Sequence, residues 1–164
     1  MQIRHRTVTA RLIFAAAIVA LLPLCVSCSH PDAAKVRNRH SVVRLLDRAD
    51  TMLGTNDSAA LAALDSIDAT VLSGRKLSAR YALLYSEAMY KNYITAPDDS
   101  LIMVAVRYYS VGNDIESRFR AFYQLGCINT EMNREPDALM AFTQAERLSA
   151  SIKDDYQLGF ISVR

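Results

Sequence analysis

The 164-residue sequence predicts an all-α protein made of antiparallel helix pairs. Residues that break helices are scarce, because the chain has only 5 glycines and 4 prolines. From Val42 onward the apolar residues recur with the period of a helix, and no useful stretch alternates with the period of two expected of a strand. The gaps between the apolar stripes are short, so successive helices should pack antiparallel.

Six apolar stripes predict six helices, and a partial stripe predicts the start of a seventh. In chain order the stripes are Val42, Leu46, Ala49 and Leu53; Ala60, Leu61, Leu64 and Ile67; Leu77, Tyr81, Leu84, Tyr85 and Ala88; Leu101, Val104, Ala105 and Tyr108; Phe119, Phe122, Leu125 and Gly126; Ala138, Phe142, Ala145 and Leu148; and, for the seventh, Tyr156, Gly159, Phe160 and Val163.

Residues typical of helix boundaries lie in the gaps between these stripes. The predicted boundary residues are Asp57 or Ser58, Asp98 or Asp99, and Asp114 as N-caps, Gly112 as a helix end, and Pro136 in a first turn. Each falls where the apolar pattern pauses, so the two kinds of signal agree.

The N-terminal segment has the organisation of a signal peptide. Residues 1–11 are basic, residues 12–24 are almost continuously apolar, and small residues follow. A membrane-spanning helix needs about 20 apolar residues, and this run is shorter and is closed by Pro23. We therefore predict a signal peptide over residues 1–27.

Two cysteines, Cys25 and Cys28, end this segment in a C-x-x-C spacing. Nothing resembling a strand–helix–strand unit surrounds them, which argues against a thioredoxin-like redox site. Zinc would need a second pair of ligands, and the three histidines, His5, His30 and His40, offer no matching spacing. A targeting segment is the remaining interpretation.

The "CVSC" segment resembles a bacterial lipoprotein signal, with small Ser27 just before Cys28. The resemblance implies that Cys28 becomes the first mature residue and carries a lipid, with Cys25 as the alternative. Residues 28–35 would then form the lipidated cysteine and its tether. Ser29, in place of aspartate, implies sorting to the outer membrane of the cell envelope.

Charge beyond the signal segment is nearly balanced. Three of the 19 basic side chains lie in residues 1–28, which hold no acid, so the remainder carries 16 basic and 17 acidic side chains. A nucleic-acid binder normally shows a basic excess or stripe. This balance argues against a nucleic-acid partner.

Two spaced motifs mark the last complete helix pair, F-x-x-L-G from Phe122 and A-x-x-x-F-x-x-A from Ala138. They resemble the two helices of a tetratricopeptide repeat, with phenylalanine in place of tryptophan. The resemblance implies a short α-solenoid over residues 36–164, with about three helix pairs and the start of a fourth. Gly126 and Ala138 are small where such helices cross closely, and Phe142 would fill the space beside them.

In a tetratricopeptide array the first helix of each pair lines the concave face. Carried over by register, the resemblance places eight residues there: Arg44, Arg48, Ser86, Met89, Tyr90, Arg120, Tyr123 and Thr130. Arginine together with tyrosine suits recognition of an extended peptide or an acidic segment. The lysine and asparagine that some family members use to clamp a carboxylate are absent from these positions.

Other reactive residues have simpler interpretations. Asp47 and Asp50 lie three apart on one helix face, and we expect them to be solvated. Cys127 has no histidine nearby in the sequence, so a buried structural thiol is favoured over a nucleophile. The tyrosines between Tyr81 and Tyr93 are expected to pack in the core or in the wall of a groove. The sequence therefore predicts no catalytic site, cofactor or metal site.

The function expected from these features is non-enzymatic. The leading hypothesis is a lipid-anchored interaction module of the envelope that binds a protein or peptide. The alternative is the N-terminal sensory domain of a longer membrane signalling or transcription-regulatory protein, since the pattern continues up to Arg164 without a polar capping helix. The apolar stripe from Tyr156 also predicts self-association through the C-terminal helix.

Overall fold

The computed structural model describes residues 38–152, and there it confirms the all-α class, with six helices, no strand and 74% of these residues in helix. The helices are α1 (Arg39–Met52), α2 (Asp57–Asp65), α3 (Arg75–Lys91), α4 (Ser100–Tyr109), α5 (Ile115–Glu131) and α6 (Glu135–Ser149). A short 3-10 turn, Ala69–Val71, lies between α2 and α3. The predicted signal peptide (1–27), lipidated cysteine and tether (28–35) and the stripe from Tyr156 lie outside the described residues.

The start of α2 differs from the prediction by one residue. Its N-cap is Asn56, whose side chain accepts a hydrogen bond from the backbone N–H of Ala59 at 3.2 Å, and not Asp57 or Ser58. Asp57 is the first helical residue, and its Oδ1 accepts from the backbone N–H of Gly54 at 2.6 Å. Asparagine and aspartate both satisfy the free N–H groups of a first turn, so the sequence pattern could not choose between neighbours.

Other boundaries agree better with the sequence. Asp114 caps α5 by accepting from a first-turn backbone N–H at 3.0 Å, and Pro136 stands in the first turn of α6, both as predicted. Asp99 occupies the N-cap position of α4, while the neighbouring Asp98 accepts from the first helical N–H at 2.8 Å. Helix α4 ends earlier than predicted, before the turn that contains Gly112.

The core forms two clusters that share helix α3. The first cluster comprises Val42, Leu46, Ala49, Ala60, Leu64, Ile67, Leu77, Leu84 and Ala88, and the second Ala79, Ala82, Leu83, Ile102, Ala105, Val106, Tyr109, Ala121 and Ile128. Each fully buried leucine or isoleucine contributes about 1.5–3 kcal/mol through removal from water. Helix α3 is buried on two faces because apolar residues surround most of its axis, and its predicted stripe covered only the first.

Helix α4 is rotated by about one residue relative to its predicted face. Its buried side chains include Ile102, Ala105 and Tyr109, whereas Val104 is 39% exposed and Tyr108 only half-buried. The helix sequence, SLIMVAVRYY, is apolar nearly all round, so a periodicity argument has little polar contrast with which to fix the buried face.

The predicted close crossing of α5 and α6 is confirmed at Gly126. A Cβ atom built on this glycine would lie 2.5 Å from Cε1 of Phe142, far inside van der Waals contact. Ala138 is also buried, as expected of a small residue between two helices. The phenyl ring of Phe142 thus occupies the space that a larger residue at position 126 would need.

Helices α1, α3 and α5 lie next to one another. Each helix packs against the next in the chain, and α5 against α6 most extensively. Helix α3 in addition contacts both α1 and α5. The first helices of the three pairs therefore form one layer within residues 38–152. None of the helices in this range is long and apolar enough to cross a membrane.

Candidate functional site

A pocket of about 330 Å³ opens on the layer formed by α1, α3 and α5. We call it the groove. Its lining residues are Asp50, Leu53 and Gly54 from α1 and the turn after it, Glu87, Tyr90 and Lys91 from α3, and Glu116, Phe119, Arg120, Tyr123 and Gln124 from α5.

Helical spacing explains why these side chains meet. On α5 the groove residues start at Glu116 and recur three or four residues apart, and on α3 they follow Glu87 at the same intervals. Side chains three and four residues apart lie on one face of a helix. Three helices in one layer, each turning such a face to the same side, leave a polar and aromatic surface between them.

Arg120 lies at the centre of the groove and links its three helices. Its Nε and Nη2 donate to the two carboxylate oxygens of Glu87 at 2.9 and 2.6 Å, and Nη2 also donates to Oδ1 of Asp50 at 3.0 Å. This two-bond contact between guanidinium and carboxylate is the strongest common type of ion pair. One side chain of α5 is thereby held to α3 and to α1.

The partners of Arg120 offset the cost of burying its charge. Burial alone would lower the pKa of its guanidinium, but the attraction and hydrogen bonds of Glu87 and Asp50 raise the pKa above its ordinary value. The side chain of Arg120 is 21% exposed and that of Glu87 is 13% exposed, so water screens the pair only in part.

Arg80 of α3 extends this network of ion pairs to a second carboxylate of α1. Arg80 donates from Nη1 to Oδ1 of Asp47 at 2.6 Å and from Nη2 to Oδ2 of Asp50 at 3.4 Å. The side chain of Asp47 is 57% exposed, as the expected solvated face requires, but that of Asp50 is only 32% exposed and both carboxylates are ion-paired to other helices, which the prediction missed. Their partners lie 30 or more residues away in sequence, which helix periodicity cannot reveal.

Aromatic rings form the α5 side of the groove. Phe119 and Tyr123 stack at a centroid distance of 6.1 Å, and Phe142 of α6 meets the Tyr123 ring edge-on at 5.7 Å. Burial raises the pKa of Tyr123 to about 12, with further contributions from the neighbouring Cys127. Tyr123 therefore stays neutral at physiological pH and presents a ring rather than a charge.

Cys127 is a buried structural thiol, as predicted. It is 1% exposed and forms no disulfide, and burial raises its pKa to about 12. A thiol must be ionised to react as a nucleophile or to bind a metal. The residue therefore contributes packing beneath the groove and no chemistry at neutral pH.

The structure brings together Tyr90, Arg120 and Tyr123 from the set placed on the concave face by sequence. Ser86 lies under the groove, where it is buried and its carbonyl accepts from Nε2 of Gln124 at 3.2 Å. The hydrogen bond between Gln124 and Ser86 joins α5 to α3.

The other four residues placed there by sequence do not line the groove. Arg44 and Arg48 are exposed on α1, and Arg44 bonds to a serine of its own helix. Met89 is half-buried beside the groove residue Tyr90. Thr130 is exposed and donates to the carbonyl of its own helix at 2.8 Å.

Sequence reasoning missed the acidic half of the groove. Asp50, Glu87 and Glu116 line it, and only Asp50 had been considered. The sequence could have identified two of them, because each shares a helix face with a predicted residue. Glu116 precedes Arg120 by four residues, and Glu87 precedes Tyr90 by three. Extending the register from those two predicted residues would have found both carboxylates.

The remaining tyrosines have different environments. Tyr81 and Tyr85 contact each other with centroids 5.3 Å apart, and the Tyr85 hydroxyl donates to Oδ1 of Asp65 at 2.7 Å. Burial and this hydrogen bond raise the pKa of Tyr85 to about 12. Tyr93 does not pack as expected, because it is 98% exposed in the turn after α3, at a positive φ of 58°.

Within the range 38–152, no three histidine, cysteine, aspartate or glutamate side chains gather where they could hold a metal ion. Comparisons of the chain with protein-family models, with curated proteins and with solved structures found no match.

Proposed function

We propose that this protein is a lipid-anchored interaction module of a bacterial envelope whose tetratricopeptide-like helices bind a peptide segment of a partner protein. The observation that carries the proposal is the groove. Its volume of about 330 Å³ suits a side chain of an extended peptide, and its aromatic wall and its position across three helices support that use. We assign no catalytic reaction to the groove, because its central Arg120 is ion-paired with Glu87 and Asp50 of the neighbouring helices.

Two features support a tetratricopeptide-like solenoid. Gly126 and Phe142 are in direct contact at the crossing of α5 and α6, the place that the resemblance gives them. Helix α3 contacts both α1 and α5, which is the arrangement of first helices in stacked helix pairs. The second helix of each pair then lies on the outer side.

The membrane anchor rests on the sequence of the N-terminal segment. A basic stretch, an apolar stretch and "CVSC" support lipid attachment at Cys28 and sorting to the outer membrane. Metabolic labelling with a fatty-acid analogue tests the attachment in the parent, Cys28→Ala and Cys25→Ala chains. We expect the label to be lost with Cys28→Ala and kept with Cys25→Ala. The reverse result would move the lipid to Cys25.

Variants of two nearby tyrosines, Tyr90 and Tyr93, test whether the groove is the peptide site. Decapeptides selected from a random display library against the full chain in detergent would be titrated against Tyr90→Ala and Tyr93→Ala. Tyr90 lines the groove, whereas Tyr93 is exposed outside it. We expect Tyr90→Ala to weaken binding at least about fivefold, as for a residue near the centre of an interface, and Tyr93→Ala to leave it unchanged.

Circular dichroism of Tyr90→Ala would first establish that the helices remain folded. A selection that yields no binder, or binders that Tyr90→Ala and Tyr93→Ala affect equally, would contradict a peptide site in the groove.

A further inference from the structure

The charges of the groove indicate what kind of side chain it accepts. Three carboxylates, Asp50, Glu87 and Glu116, line it against two cations, Lys91 and Arg120, which leaves a net charge of −1. The cation at the centre is not available as a recognition charge, because Arg120 already donates to Glu87 and Asp50. An arginine in a groove usually suggests an acidic ligand. Because Arg120 is already bonded to two carboxylates, it does not favour one here.

An acidic ligand side chain would meet two obstacles here. It would approach Glu87 and Asp50, whose like charges repel it in a partly desolvated site. To pair with Arg120 it would have to displace one of them, and a displaced Glu87 would be left buried without its partner. The ion network thus acts against acidic segments as well as holding the helices.

A basic ligand side chain fits the same surface. Lysine and arginine have apolar stems that pack against apolar and aromatic side chains while the charged head reaches polar groups. The groove supplies the rings of Tyr90, Phe119 and Tyr123 and the carboxylate of the exposed Glu116. A cation near an aromatic ring face is attracted by the ring as well as by this carboxylate.

We propose that the groove binds an extended peptide through a lysine or arginine side chain, which packs against Tyr90, Phe119 and Tyr123 and is attracted by the carboxylate of Glu116. This inference rests on the proposed function of the groove as a peptide site. It adds the chemical class of the residue that the groove selects.

The test uses four fluorescein-labelled decapeptide pools with blocked ends. Their central residue is fixed as Lys, Arg, Gln or Glu, and every other position is a mixture of uncharged residues, so that only the central residue differs in charge. Fluorescence polarisation against the full chain in detergent measures each Kd. We expect the Lys and Arg pools to bind at least about fivefold more tightly than the Glu pool, with the Gln pool between them, and the difference to shrink at 0.5 M salt.

A matched pair of variants assigns the preference to the groove. Glu116→Gln removes one groove carboxylate, and Glu146→Gln removes an exposed carboxylate of α6 that lies outside the groove. We expect Glu116→Gln to weaken the Lys pool about two- to fivefold and to leave the Gln pool unchanged, in the range known for partly exposed ion pairs. Glu146→Gln should change neither pool.

The outcomes separate the two proposals. Equal binding of all four pools, or tighter binding of the Glu pool, would overturn the preference for a basic side chain and leave the peptide site in place. A preference for Lys and Arg that Glu116→Gln does not reduce would place the basic side chain elsewhere and overturn the inference. If no pool binds while display-selected decapeptides do, the basic anchor is wrong. If neither pools nor selected peptides bind, the peptide function itself fails.

Discussion

Replacing Arg120 by methionine should destabilise the protein by removing the link among α1, α3 and α5. The change leaves Glu87, which is 13% exposed, without the two hydrogen bonds that it accepts at 2.6 and 2.9 Å. Breaking a fully buried pair costs about 3–5 kcal/mol, and partial exposure of this one lowers the expected loss to about 2–3 kcal/mol. Urea denaturation followed by circular dichroism measures the free energy of unfolding.

Arg134→Met is the matched control. Arg134 pairs with Asp99 at 3.3 Å, and both side chains are about as exposed as ordinary surface pairs, so the expected loss is about 0–1 kcal/mol. Adding Glu87→Gln to Arg120→Met should recover part of the stability, because it removes the unpaired charge. If Arg120→Met costs no more than Arg134→Met, the network does not stabilise the helix layer and the reasoning is refuted.

Three further predictions concern the packing beneath the groove. Gly126→Ala places a methyl group against the Phe142 ring and should cost about 1–3 kcal/mol, measured by urea denaturation. A loss that Phe142→Leu does not relieve would contradict this contact. Iodoacetamide at pH 8 should leave Cys127 unmodified in the tryptic peptide 121–134 of the folded protein and modify it in urea, as read by mass spectrometry. Burial raises the pKa of Cys127 from 9.0 to about 12, so its contribution to stability is full below pH 9 and is lost as the pH rises towards 12. The parent should therefore lose more stability between pH 8 and 10.5 than Cys127→Ala, and equal losses would contradict the shift.

The fold could be predicted well where the helices have one apolar face. In α1 the predicted residues Val42, Leu46 and Ala49 are all buried. The other side of this helix is polar, so its apolar face is easy to recognise in the sequence. For α4 the same method chose Val104, which is exposed, because apolar residues surround the helix. For α3 it found one buried face of two. Periodicity detects a difference between the apolar and the polar side of a helix. A central helix that is buried on two sides shows little such difference.

The groove could be predicted only in part, because its electrostatics depend on distant residues. Tyr90, Arg120 and Tyr123 were found by register within a repeat. Asp50 and Arg120, whose contact defines the centre of the site, are 70 residues apart in the chain. Only the packing of α1, α3 and α5 in one layer brings them to 3.0 Å, and helix periodicity contains no information on that pairing.

The most direct test of the peptide site is photocrosslinking from the groove. A benzoylphenylalanine residue would replace Tyr90 in the groove or Met140, an exposed residue of α6 outside it. Each full chain would be irradiated with the lysine-centred decapeptide pool, and the products would be mapped by mass spectrometry. We expect a peptide adduct from position 90, reduced by an excess of unlabelled pool, and none above background from position 140. An adduct from position 140 alone would show that the peptide binds on α6 and not on the surface formed by α1, α3 and α5.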